Sequence, residues 1–166
     1  AIITSFGTIS QKLDALSFHK NRPIIIYNPD KSSCRLRFDL GHECAHIILH
    51  SGIETGDSKT EKQADHFASS FLLPREAIIT EYRSRHSNRI DWNTIRDIKI
   101  KWGISARAIV YRLNQLDIIS PSLFRRANIH LSKTGQTKSE YYDDQVPTEN
   151  PELIINSIKL LHQAHG

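Results

Sequence analysis

The chain has 166 residues, enough for one domain with a substantial core or for a domain with a small appendage. Its 39% hydrophobic and 24% charged residues suit a globular protein, and no apolar run approaches the roughly 18 residues of a membrane span. The net charge of +4 is dispersed and so permits nucleic-acid contact without requiring it, while only two cysteines argue against a disulfide scaffold and for a reducing cytoplasm.

Residues 6–9 and the run Pro23-Ile24-Ile25-Ile26-Tyr27 read as strands, the second closed by the turn signal Asn28-Pro29-Asp30. Ser10 to Leu16 suggest a short helical turn. A helix is expected over 35–51, entered near Arg37-Phe38, with Leu40, Ala45, Ile47, Ile48 and Leu49 as its apolar or small positions and Ser51-Gly52 as its stop. After a polar loop at 53–59, Thr60 reads as the N-cap of a helix over 61–72, striped by Ala64, Phe67, Ala68, Phe71 and Leu72. Pro74 opens a short helix over about 75–86. Asp91 or Asn93 starts a helix through Lys101, Gly103 breaks it, and Ser105 caps another reaching about Leu116. Residues 120–150 are polar and turn-rich, with a strand expected at 128–132. Asn150-Pro151 signals a last helix whose buried face is expected to carry Leu153, Ile154, Ile158 and Leu161.

The resulting expectation is an α+β fold. A core with a small sheet occupies 1–86, a helix-turn-helix-like segment 87–120, and an extension ending in a helix 121–166. The sequence contains no methionine, so it reads as trimmed or cut from a longer protein, with an N-terminal partner domain expected outside it. There is no basic stretch followed by an apolar one that would make a secretory signal.

The chemistry concentrates in His42-Glu43-Cys44-Ala45-His46. Residues four apart on a helix share one face, so His42 and His46 can present two imidazoles to one zinc ion. Glu43 lies roughly 100° around the helix, where its carboxylate can act as general base on water at the metal. A catalytic zinc site needs three protein ligands and an open position. The pattern that adds a third histidine six residues on fails, because Leu49 and Gly52 stand at its glycine and histidine positions. The next helix offers acids instead. Glu54 and Asp57 fall in the loop, whereas Glu61 opens the helix with Asp65 one turn on, so Glu61 can ligate zinc while Asp65 accepts the free N–H of a liganding histidine.

Other candidates fail on geometry. His50 lies two turns from His42, about 12 Å along the axis, and reads as a cation at the helix C-terminus. Cys44 points about 200° from His42 and reads as a small core residue. His66 is rotated off the ligand face.

On these residues the chain resembles the ImmA/IrrE family of metallopeptidases. The likeness is carried by Arg35-Leu36-Arg37-Phe38, by Gly41-His42-Glu43-Cys44-Ala45-His46, and by Glu61, Ala64, Asp65, Phe67, Ala68, Leu72 and Pro74 of the following block. It extends over about 20–120 and weakens beyond. The resemblance implies a zincin-like core over 1–86 with a small sheet and an HExxH helix, and a thermolysin-like zinc site with His42, His46 and Glu61 as ligands and Glu43 as base. It also implies intracellular cleavage of a repressor-type DNA-binding protein, and in the most similar subgroup an N-terminal repressor-like helix-turn-helix domain. The sequence departs from the family at Ala45, where glycine is usual; the added methyl falls near helix-packing contacts and leaves the metal chemistry untouched.

Tyr82, Arg85 and His86 are candidates for a second oxyanion donor. The strand at 23–27 is a candidate edge for an extended substrate. The rival reading is a DNA-binding module at 95–116, with Ile98, Trp102, Ile104 and Ile109 as its core and Arg96, Lys99, Lys101, Arg107 and Arg112 as its charge; Asp97 and Asp117 interrupt that patch. A third reading is an inactive, zinc-sensing regulatory module.

Overall fold

The structure, a computed structural model, describes residues 2–5, 14–18, 22–82, 88–137, 139–148 and 153–165. The strand expected at 6–9 and the first part of the turn expected from Ser10 lie outside them. Strands β1 (Ile2–Ser5), β2 (Ala15–Phe18) and β3 (Ile24–Tyr27) form one sheet in the order β1-β3-β2. Ala15 and Leu16, expected in a helical turn, are therefore extended. The β-branched run of β3 makes the middle strand, parallel to β1 and antiparallel to β2, with Ile25 fully buried opposite Ile3 and Ser17. This overturns the expectation that β3 offers a substrate an edge: both of its edges are already paired, and among the described residues β1 and β2 are the outer strands.

Helix α1 (Ser33–Leu49) packs on this sheet and, most extensively, against α2 (Ser58–Leu72). Asp57, not Thr60, caps α2: its carboxylate accepts the N–H groups of Lys59 and Thr60 at 2.7 and 3.2 Å, and the Thr60 hydroxyl at 2.8 Å. The contact between the two helices is built from small residues. Ala45, Ala64 and Ala68 are fully buried, and a Cβ on Gly41 would stand 3.3 Å from that of Ala68. Phe71, expected in the buried stripe, is 69% exposed and stacks on Phe67 instead. With alanines at the crossing, the backbones come close, and carboxylates near the start of α2 can reach α1.

Helices α3 (Arg75–Glu81), α4 (Trp92–Trp102), α5 (Ala106–Gln115) and α6 (Pro121–Lys133) enclose a second apolar cluster of Leu73, Ile78, Tyr82, Ile95, Ile98, Ile109, Leu113, Leu123 and Leu131, among others. The strand expected at 128–132 is part of α6. Ser120 caps that helix, Pro121 opens it, and Leu123, Ala127 and Leu131 recur every fourth residue, which is a helical and not a strand period. Arg37, one turn into α1, donates from Nη1 to the Trp102 carbonyl at 2.9 Å and so closes the end of α4. Gly103 follows in the left-handed region (φ 62°), and a Cβ there would lie 2.8 Å from Cζ of Arg37. Helix α7 (Leu153–His165) carries Ile158 and Leu161, expected on a buried face, but both are exposed.

Candidate metal centre

Five side chains named from the sequence converge where α1 crosses the start of α2. His42, Glu43 and His46 come from α1, and Glu61 and Asp65 from α2. Nε2 of His42 lies 3.0 Å from Nε2 of His46 and 3.1 Å from Oε2 of Glu61, while His46 Nε2 is 3.6 Å from Oε1 of Glu61. One ligand atom from each of His42, His46 and Glu61 falls within 4.8 Å of the others. On its other side His42 Nδ1 donates to Oδ1 of Asp65 at 2.9 Å.

These contacts fix where protons can sit. Asp65 takes the Nδ1 proton of His42, so in the neutral ring Nε2 carries a lone pair. That lone pair faces a second imidazole nitrogen and a carboxylate oxygen. Three electron-rich atoms gathered at one point, two of them nitrogen, are the donor set of a zinc ion, and the residues fit it in type and number. Burial opposes protonation of His42, but the Asp65 hydrogen bond and the charges of Asp65, Glu61 and Glu43 outweigh it and hold its pKa above the usual value. His46 is displaced the other way, by burial first and by the charge of His42 second. The two rings are therefore displaced in opposite directions, His42 by the acids around it and His46 by burial.

Glu43 is half-buried on the turn between the two histidines. Its charge acts on both, and its carboxylate makes no hydrogen bond among the described residues. A carboxylate held near the two histidines yet bonded to neither is available to an incoming proton donor.

The remaining candidates fall out as follows. Cys44 is half-buried, less covered than a core residue, burial followed by the Glu43 charge raises its thiol pKa, and its sulfur is not part of the group formed by His42, His46 and Glu61. His66 is exposed on α2. Tyr82 is no oxyanion donor here: it is fully buried in the helical cluster, with its hydroxyl 3.5 Å from the Asp91 N–H. Arg85 and His86 lie outside the described residues.

His50 departs most from expectation. It is 3% exposed and does not present a charge to solvent. Its Nδ1 stands 3.0 Å from Nδ1 of His46, and its Nε2 stands 3.0 Å from Oε1 of Gln63. The signal was in the sequence: the four-residue step that keeps His50 from the metal sets it against the far nitrogen of His46.

The charge of the 95–116 segment is largely satisfied within the protein. Lys99 is 1% exposed and bonded to Glu140 and Asp143, Arg112 is buried and donates to the Leu73 carbonyl at 3.1 Å, Arg96 pairs with Asp97, and Lys101 pairs with Glu81. That leaves little of the basic patch a DNA-binding reading needs. A cavity of about 310 Å³ opens beside Asp65 between α1, α5 and α6, with Phe38, Asp39, Tyr111 and Phe124 in its walls. Oδ2 of Asp39 is enclosed there without a hydrogen-bond partner, and burial pushes its pKa up to about 6 against the charges of Arg35, Lys31 and His42.

Among known protein families, residues 2–114 match the one described as the IrrE N-terminal-like domain, Peptidase_M78. No curated protein and no solved structure matches the chain.

Proposed function

Because the chain belongs to the IrrE N-terminal-like family of peptidases, with both the crossing helices and the sheet inside the matched span, we propose that it is a zinc-dependent endopeptidase. The observation that carries this reading is the convergence of His42, His46 and Glu61 donor atoms within 4.8 Å, with Glu43 beside them.

His42, His46 and Glu61 hold the zinc. When bound, the ion supplies the Lewis acidity that makes water and a peptide carbonyl reactive toward each other. Asp65 holds His42 in the tautomer that keeps Nε2 free to ligate. Glu43 takes the proton of the attacking water on its carboxylate and delivers it to the nitrogen of the leaving amine. Its carboxylate, half-buried beside both histidines, makes no hydrogen bond among the described residues that would compete for that proton.

The substrate we propose is a repressor-type DNA-binding protein cleaved inside the cell, as the sequence resemblance implies. No helix among the described residues is long and apolar enough to cross a membrane. The satisfied charges of 95–116 favour a protein substrate over DNA as the partner of this chain. The test is cleavage of a purified repressor-type protein by the zinc-loaded chain. Cutting should stop with a chelator and return with zinc. Cleavage that survives complete metal removal would overturn the reading.

A further inference from the structure

The two zinc-facing histidines are backed by different partners, and the second partner has no role in the reading above. His42 rests on a carboxylate, Asp65. His46 rests on a buried imidazole, and that imidazole rests on Gln63 of α2. We propose that His50 and Gln63 form a positioning relay that fixes the tautomer of His46, holding its Nε2 lone pair toward the metal. This rests on the zinc reading of the same site.

The argument is one of proton placement. Nδ1 of His46 and Nδ1 of His50 stand 3.0 Å apart on the side of His46 away from the proposed metal, so only a proton can join them there. If His50 carried it, the neutral His46 ring would hold its own proton on Nε2, the atom that faces His42 and Glu61, and could not ligate there. If His46 carries it, Nε2 is free. Gln63 selects between the two. Its Oε1 is an acceptor 3.0 Å from Nε2 of His50, so the His50 proton sits on Nε2 and its Nδ1 is left to accept. The direction of every bond then follows: His46 donates to His50, and His50 donates to Gln63.

The surroundings hold this arrangement in place. His46 and His50 are 6% and 3% exposed, so water competes poorly for the shared proton. Their rings lie 5.0 Å apart, tilted by 50°, one turn apart on α1. His50 is the C-cap residue of that helix, where its N–H still bonds the His46 carbonyl at 3.1 Å, so the ring that orients His46 is tied to the same residue through the backbone. Gln63 comes from α2 between Glu61 and Asp65, so one turn of α2 supplies a candidate ligand and the partners behind both histidines.

His50 is a positioning residue under this proposal, and its effect reaches zinc only through His46. The first measurement is zinc affinity of the full chain by competition with a chromophoric chelator. His50→Phe keeps a ring but removes the acceptor, and should weaken zinc binding by about 10–100-fold, the range for partners behind a metal-bound histidine. His50→Gln offers an acceptor and a donor at that position and should recover a large part of the loss. Gln63→Leu, at the exposed end of the relay, should give a smaller loss without disturbing the buried rings. The second measurement is ¹⁵N NMR of the ring nitrogens in the wild-type chain, which should find His50 protonated on Nε2 and bare on Nδ1. A folded His50→Phe variant with wild-type zinc affinity, or a His50 protonated on Nδ1, overturns the relay while leaving the peptidase reading intact. A wild-type chain that binds no zinc overturns both.

Discussion

Gly41 on α1 and Ala68 on α2 meet so closely that a Cβ on the glycine would stand 3.3 Å from the alanine Cβ and 3.5 Å from its Cα. This contact sets the separation of the two helices that carry the metal-facing side chains. Gly41→Val should destabilise the fold by about 1–3 kcal/mol through overpacking. It should also weaken zinc binding, because α2 carries Glu61 and Asp65 away from His42. Urea unfolding and a chelator competition on the same sample check both effects. An unchanged zinc affinity in a destabilised variant would show that the crossing does not set the geometry of the centre.

Glu43→Gln keeps the size of the side chain and removes its capacity to take a proton. Zinc content should remain that of the wild type, and cleavage of a true substrate should fall by about 10²–10⁴-fold. Metal analysis and a cleavage time course decide it. Wild-type cleavage by this variant would remove Glu43 from the role of base.

Glu61 and Asp65 should separate in the size of their effects. Glu61→Ala removes one of three donor atoms facing the metal, whereas Asp65→Ala removes only the acceptor behind His42. Zinc affinity should therefore fall by about 10–100-fold for Asp65→Ala and by more than that for Glu61→Ala. The reverse order would exchange the two assignments.

Much of this centre was legible in the sequence because helix periodicity is a strong constraint. The spacing of His42 to His46 and of Glu61 to Asp65 fixes two faces, and a single crossing brings them together. What was not legible depended on contacts between elements. His50 was excluded as a ligand by its distance along the axis, but burial by α2 turned it from a surface cation into a partner of His46. Phe71 fits an apolar stripe by spacing, yet the crossing runs through alanines and leaves it exposed. β3 became central because β1, early in the chain, pairs with it in parallel, an association no local pattern announces. Helix α6 was readable from Ser120-Pro121 and its four-residue repeat, but the polar composition around it masked that signal.

Asp39 makes stability depend on pH. Its folded pKa, about 6, lies above the ordinary 3.8, so the unfolded chain ionises first and the native state binds more protons between the two values. The contribution is present in full below about pH 4 and is lost as pH rises through 6. Asp39→Asn removes the titration. Relative to wild type, the variant should gain about 1–2 kcal/mol between pH 4.5 and 7.5, a figure reduced for partial solvent access. Urea unfolding of both proteins at the two pH values measures it. A constant difference would mean that Asp39 titrates normally.

Lys99 is 1% exposed with its ammonium 2.8 Å from Glu140 and 2.5 Å from Asp143, and Glu140 also accepts the N–H groups of Ala106 and Arg107 at the start of α5. Lys99→Met fills the space but takes the cation from two largely buried carboxylates, which keep only backbone N–H donors. The loss should be about 3 kcal/mol or more in urea unfolding, with zinc affinity of the folded fraction unchanged. A near-neutral variant would mean the acids find other partners.

The joint between Arg37 and Gly103 bears on how this sequence can drift over generations. The guanidinium occupies the space that any side chain at 103 would need, and the left-handed backbone there disfavours one independently. A change at 103 is therefore tolerated only once Arg37 has been shortened or swung aside, and shortening Arg37 strips the Trp102 carbonyl of its donor. Two positions 66 residues apart are thus bound to change together or not at all, which would appear among relatives as a correlated pair.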